Sequence, residues 1–196
     1  MGSGDKDISA ILHRLTYLEG EVEMLKHELN AGTGTLFLYD AASTDIGTYR
    51  QLLQAHSAGA EANKSTTISA AATLIGAWAT EAGVPNKDFI PAGSAHFHFH
   101  AIKSSGAKNA RIYFSAFKRA GAVETLIGTS EMSNIIGSTK SEYDIHLDLN
   151  DTDIDTTDRI MLKLYATPEG SGTAPVIAVY YEGTNGTRVE MPFNNW

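Results

Sequence analysis

Residues 94–102 read SAHFHFHAI, a strict alternation of imidazole and phenyl rings. Successive side chains leave a β-strand on opposite faces, so His96, His98 and His100 share one face and Phe97 and Phe99 the other. The apolar face belongs to a core and the polar face to a surface or a subunit contact. The stretch therefore predicts a strand that is dry on one side only.

The same reading extends outward in both directions. Thr35–Tyr39 is a short apolar run, and the turn-rich stretch Asp40–Lys64 follows it, with Ile46, Tyr49, Leu52 and Leu53 spaced for a brief helical turn. Strands are expected at Thr66–Ala70, Thr73–Thr80, Ser94–Lys103, Ala110–Lys118, Glu124–Ser130, Glu142–Leu149, Arg159–Ala166, Pro175–Tyr181 and Arg188–Met191. Pro85–Lys87, Ser104–Lys108 and Pro168–Thr173 are breaks, and Asn185-Gly186 is a hairpin signal between the last two strands. About nine short strands at this spacing predict a mainly β fold, an antiparallel sandwich of jelly-roll type. RIMLKLYA and APVIAVYY are apolar on both faces, where a monomeric sandwich keeps one face wet. Burial of their outer faces between subunits is the expectation.

Residues 5–30, DKDISAILHRLTYLEGEVEMLKHELN, have a different period. Ile8, Leu15, Val22 and Leu29 fall at heptad position a, with Ile11, Leu18 and Leu25 at d, the seam of a coiled coil. Such a helix spans about 33 Å. Asp5 or Asp7 caps its start, and Asn30 with Gly32 marks its end. Arg14 at g faces Glu19 at the next e, and Glu21 faces Lys26 in the same way; both pairs attract when chains run parallel. The mixed a and d residues leave dimer and trimer open. RLTYLE at 14–19 resembles a trimerisation signature (Arg, apolar, two free positions, apolar, Glu), which implies three strands. A coil this short depends on the head it carries. The chain divides into a leader or tag scar at 1–4, a stalk at 5–31 and a head at 32–196.

Composition narrows the function. Of 196 residues 42% are hydrophobic, enough for a packed core, and cysteine is absent, which excludes disulfides, thiol catalysis and cysteine-ligated zinc. The formal charge of -8 becomes 3 × -8, or -24, in a trimer. A surface so acidic repels nucleic acid and anionic lipid. No stretch has the roughly 20 apolar residues of a membrane span.

Candidate chemistry is sparse. His96, His98 and His100 are candidate metal ligands if their face lies on a threefold axis, where imidazoles from three chains converge; a polar surface strand is the default, and a pH-sensitive contact a third reading. Asp151, Asp153 and Asp155 alternate like the start of a calcium loop, but Thr156 stands where glycine is required and Leu162 where the closing glutamate belongs. An acidic turn is the default there. Glu124, Glu131, Glu142 and Glu182 pair only on paper as glycosidase carboxylates. Trp78, Tyr180 and Tyr181 are of a type that stacks on sugars, though strand aromatics belong more often to cores. The sequence has no nucleophile elbow, phosphate loop or zinc-protease motif. No catalytic residue, cofactor or metal is assigned.

From about Leu36 to Phe193 the chain resembles proteins of tailed-phage fibres, collars and other virion surfaces. The resemblance rests on LFLYDAASTDIGTYRQLL, EAGVP at 81–85, IPAGSAHFHFHA at 90–101, FKRAGAVETLIGTSE at 117–131, DRIMLKLYAT at 158–167 and VYYEGTNGTRVEMP at 179–192. It implies a trimeric jelly roll of the tumour-necrosis-factor type on the virion surface. The partners implied are two further copies, other virion proteins and a bacterial surface glycan or protein. RVEMPF stands where many relatives close with a His-rich motif. Some phage spike and fibre proteins hold iron through His-x-His pairs, which the strand at 96–100 resembles. A receptor-binding head is the leading expectation, with Asn86–Asp88, Asn150–Thr157 and Gly183–Thr187 as its candidate loops. A capsid or neck decoration and a polysaccharide-degrading enzyme are the alternatives.

Overall fold

The alternating stretch sits inside a strand of 13 residues, and the rest of the chain is arranged around it. A computed structural model of the protein describes Arg14, Leu15, Leu18 and residues 34–57, 59–184 and 186–193. In chain order the strands are β1 (Gly34–Ala42), β2 (Arg50–Leu53), β3 (Ala62–Thr67), β4 (Thr73–Ala79), β5 (Phe89–Ile90), β6 (Gly93–Ser105) and β7 (Asn109–Ala120). They continue with β8 (Val123–Thr129), β9 (Ser141–Leu149), β10 (Thr152–Asp153), β11 (Arg159–Glu169), β12 (Val176–Tyr181) and β13 (Arg188–Met191). The brief helical turn expected after Asp40 is strand β2, and the strand expected at Thr66–Ala70 starts four residues earlier. Both shifts follow from pairing: β2 takes the free edge of β1, and β3 that of β12. No helix among the described residues is long and apolar enough to cross a membrane.

One large sheet runs β3-β12-β6-β13-β1-β2-β4-β11-β7-β8, and β9 joins the other edge of β6. The pairing is antiparallel except where β2 meets β4. β5 and β10 form a separate ribbon.

The hairpin expected at Asn185-Gly186 is absent. β12 pairs with His100–Ser105 of β6, and β13 pairs with His96–His98 of the same strand. The two strands lie end to end along one edge of β6, opposite β9. Glu182 and Gly183 have φ of 62° and 59°, so the chain leaves the ladder at that point. It returns with Leu38 N–H donating to Thr187 O at 3.1 Å. Since β3 and β6 already occupy both edges of β12, β13 has no place beside it.

The sheet doubles back on itself. Phe97 on β6 and Phe114 on β7 are not ladder neighbours, yet their rings lie 5.2 Å apart, and Trp78 on β4 meets Tyr181 on β12 edge to face at 5.7 Å. All four are fully buried. Each such ring contributes about 1.5–3 kcal/mol by leaving water. The polar ends are matched too: Trp78 Nε1–H donates to Tyr39 O at 3.0 Å and the Tyr181 hydroxyl to Asp40 Oδ1 at 2.9 Å. Glycine is required at Gly106 in the β6–β7 turn, where φ is +91° and a Cβ would stand 2.4 Å from Ala174 O.

The doubly apolar strands have an explanation within one chain. On the outer side of β11, Met161 is fully buried beneath Tyr49 and Ile46 of the 43–49 loop, with Ala79 and Phe117 at its sides. Two polar anchors hold that loop. Arg159 grips Asp45 through both guanidinium nitrogens, at 2.9 and 2.6 Å. The Tyr49 hydroxyl donates to Glu124, which also receives Lys163 and Arg119. The Arg159 guanidinium holds the Asp45 carboxyl far below the ordinary carboxylate range. Burial pushes Glu124 up, but Lys163, Tyr49 and Arg119 outweigh it and leave the group lowered. On β12 the outer Tyr180 lies beneath Lys140 Nζ, 4.3 Å from the ring centre. Within the chain, the outer face of β11 is covered at Met161, while Tyr165 and Tyr180 stay partly exposed.

Of the seam residues, Ile8, Ile11, Glu19, Glu21, Val22, Leu25, Lys26 and Leu29 lie outside the described residues. Arg14, Leu15 and Leu18 are helical, and both leucines are about half exposed, 51% and 53%.

Core and surface on β6 differ by one residue, which a pair of truncations measures. Phe97→Ala is expected to lower stability by about 3–5 kcal/mol, and His98→Ala to change it by roughly 0.5 or less, in denaturant unfolding with unchanged m-value. Equal losses would contradict the face assignment.

Candidate functional site

The outward face of β6 meets that of β9 in register: His96 opposes His146, His98 opposes Asp144, and His100 opposes Glu142. On the other edge, β13 sets Glu190 opposite His96 and Arg188 opposite His98. Period-two alternation puts all these side chains on the side away from Phe97 and Phe99. Five of these groups, His96, His98, Asp144, His146 and Glu190, come into ring or charge contact on one patch although they belong to three strands.

A sixth arrives from outside the ladder. After β8 the chain crosses the open side of the folded sheet, with Ser130 N–H bonded to Phe114 O, Glu131 N–H to His146 O and Ser133 N–H to Ile112 O at 2.8–3.0 Å. The crossing delivers the Glu131 carboxylate to His146 Nδ1 at 2.9 Å. His146 Nε2 then faces Asp144 Oδ2 at 3.5 Å. His96 stands edge to face with His146, ring centres 4.5 Å apart, and His98 lies parallel to His96. His98 Nδ1 is 3.6 Å from Asp144 Oδ1 and its Nε2 3.7 Å from Glu190 Oε1. Carboxylates thus attend the histidines: the register supplies Asp144 and the crossing supplies Glu131.

The electrostatics follow from these contacts. The Glu131 bond raises His146 above its ordinary 6.5, opposed by slight desolvation and helped by Asp144 and Asp148. Glu131 is held below 4.5, chiefly by the same bond. What the pair contributes through His146 is complete below pH 6.5 and fades as pH rises through the elevated value. What it contributes through Glu131 is present above pH 4.5 and fades as acid passes below it. The ion pair is strongest between these limits.

Other sequence candidates fall elsewhere. Trp78 and Tyr181 are fully buried and present no face to a sugar; only Tyr180 reaches the surface. The four glutamates do not pair: Glu124 anchors the 43–49 loop, Glu131 binds His146, Glu142 opposes His100, and Glu182 accepts from Asp40 N–H at 2.9 Å. The acidic turn is a structural joint. Asp151 Oδ1 accepts from Ala92 N–H at 2.7 Å, Thr152–Asp153 pair with Phe89–Ile90, and Ile154 N–H donates to Asp88 O. Two of the candidate loops, 86–88 and 150–157, are thereby brought together. The third borders an open concavity lined by His56, Gly59, Glu61, Gly183 and Thr184.

The sequence reading did not single out Asp144 or His146, and it named Glu131 only among the glutamates, not as a partner of the histidines. The first two had a signal, because YDIHLDL at 143–149 alternates as strictly as the histidine strand. Glu131 had none; it sits in a loop beside no pattern.

No family model matches this chain, and no curated protein matches it in sequence. By structure it is similar to a CocE/NonD family hydrolase from Staphylococcus aureus, with TM-score 0.60 and 9% identity over 84% of this chain and 37% of that one. An aminopeptidase from the marine sediment archaeon Thaumarchaeota archaeon gives 0.60 and 11% over 83% and 37%. An alpha-amino acid ester hydrolase gives 0.61 and 9% over 83% and 36%. The chain spans little more than a third of each of these proteins, and at such identity the likeness is one of fold.

The His146 ring should titrate above pH 6.5 when followed by its NMR ring-proton shifts. In Glu131→Gln the midpoint should fall back toward 6.5. An unmoved midpoint would remove Glu131 as the cause.

Proposed function

We propose that this chain is a non-enzymatic, trimeric virion-surface protein of a tailed phage, a fibre or receptor-binding component. In this reading a jelly-roll head stands on a short parallel coiled coil and displays its loops to a host surface. The observation that carries it is the exposure of Leu15 and Leu18. Two helical leucines at successive a and d positions of the heptad pattern are half open to water. Exposed leucines in a heptad seam are what a partner helix covers.

Several features agree. The seam continues in the sequence on both sides of these residues, and the g–e charges favour parallel neighbours. A net charge of -8 suits a soluble surface component. Loops 86–88 and 150–157 are held together by the small ribbon, so that three copies present three identical composite tips. Weak contacts to a bacterial glycan or protein then add through avidity. The polysaccharide-degrading alternative draws no support from the four glutamates, each of which has a separate local role.

The mass in solution is the direct test. Light scattering after gel filtration should give three times 21.0 kDa, and Leu15→Asp with Leu18→Asp should release folded monomers with unchanged β circular dichroism. A stable wild-type monomer overturns the proposal. Saturable binding of the trimer to host cells supports the receptor role, whereas no binding across a broad strain panel favours a capsid or neck decoration. Release of reducing ends from capsule would mark an enzyme.

A further inference from the structure

We propose that His96, Asp144 and His146 form a binding site for one divalent transition cation per chain, of the Zn2+ class. The site lies on the outer face of the β6–β9 ladder. It needs one chain only, so it stands or falls apart from the trimeric reading.

The ligand set is the first ground. The three side chains each offer one ligand atom, and all three atoms lie within 4.8 Å of one another. Two imidazoles and a carboxylate are the donors that Zn2+, Co2+ and Ni2+ prefer, while calcium and magnesium seek oxygen alone. Metal–ligand bonds of about 2.0–2.2 Å place tetrahedral ligand atoms about 3.3–3.5 Å apart. His146 Nε2 and Asp144 Oδ2, at 3.5 Å, already have that spacing. The 4.8 Å limit leaves His96 little more than 1 Å to close, a ring rotation at a half-buried surface position.

The outer contacts are the second ground. A metal-bound imidazole commonly gives its other N–H to a carboxylate, which sets the tautomer and aims the free nitrogen. Glu131 stands at His146 Nδ1 at 2.9 Å, which leaves Nε2 directed toward Asp144. Asp144 is steadied likewise, because His98 Nδ1 lies by its other oxygen, Oδ1, at 3.6 Å. Asp148 and Glu190 add negative charge around the patch, and Arg188 places its Nε on Glu190 at 2.8 Å. The arrangement differs from imidazoles converging on a threefold axis: its carboxylate is a ligand, and His100, opposite Glu142, has no part in it. Three protein ligands leave a fourth position for water or for a donor from another molecule.

Metal-free full-length protein titrated with Co2+ should develop visible d–d absorption that saturates at one ion per chain, and Zn2+ should abolish it. Heat of Zn2+ binding should give the same stoichiometry. His96→Ala and His146→Ala should each remove the signal. Glu131→Gln should weaken affinity about 10- to 100-fold, and His100→Ala should leave it unchanged. Unfolding of each variant without metal verifies that it is folded. No uptake at one ion per chain would overturn the site. So would equal uptake by His96→Ala/His146→Ala, since the cation would then reside on other histidines such as His56. Loss in His100→Ala with retention in His96→Ala would overturn it as well.

Discussion

Everything in this molecule depends on the contact that Phe97 and Phe99 make when the sheet closes over them. Their strand is hydrogen-bonded along both edges, to β9 on one side and to β12 and β13 on the other. Phe97 meets Phe114 across the fold, and Phe99 stacks between Phe97 and Tyr143. Two edges and one face are thus committed to the protein interior. The remaining face is determined by exclusion: with period two, burying the phenyl rings forces the imidazoles outward. A slip of one residue would bury three histidines and expose two phenyl rings, so the core that stabilises the fold also holds the histidine patch in place.

The two outer faces of the folded sheet are treated differently. Over β4, β11 and β7 the chain lays its own 43–49 loop, and the outer face of β11 is covered at Met161, beside Phe117 of β7. The anchors there are ionic, and they join a loop near the start of the head to strands far along the chain, as Asp45–Arg159 does. Over β6 and β9 no described segment is laid. That face carries imidazoles and carboxylates whose pairing is internal to the patch. The apolar outer surface at Met161 has been covered by the chain itself, while the histidine patch is only partly buried.

This division bears on function. Leu15 and Leu18 are half exposed, and in the proposed function a partner helix covers them. The joined loops 86–88 and 150–157 form a second feature that recurs with each copy in an oligomer. The histidine patch is a third, already assembled within one chain. In the proposed reading, assembly, display and cation binding fall to separate parts of the protein, so that each can be tested without the others.

Local patterns were sufficient for the mainly β character, for nearly every long strand and for the sidedness of β6, because alternation acts between adjacent residues and needs no knowledge of the partner. The seam read at 5–30 lies outside the described residues except at Arg14, Leu15 and Leu18. Pairing lay beyond local patterns. Asn185-Gly186 has hairpin chemistry, yet β13 continues along β6, since the edges of β12 are taken by strands distant in sequence. The covering of Met161 was equally hidden, because Tyr49 lies more than a hundred residues away. Of the histidine patch, His96 and His98 were legible and Asp144 and His146 half legible from a second alternating stretch. Register between β6 and β9 made those residues neighbours, and the crossing after β8 added Glu131. A chain determines what each strand shows on its faces; which strands lie side by side is a long-range packing decision, made once for the whole core.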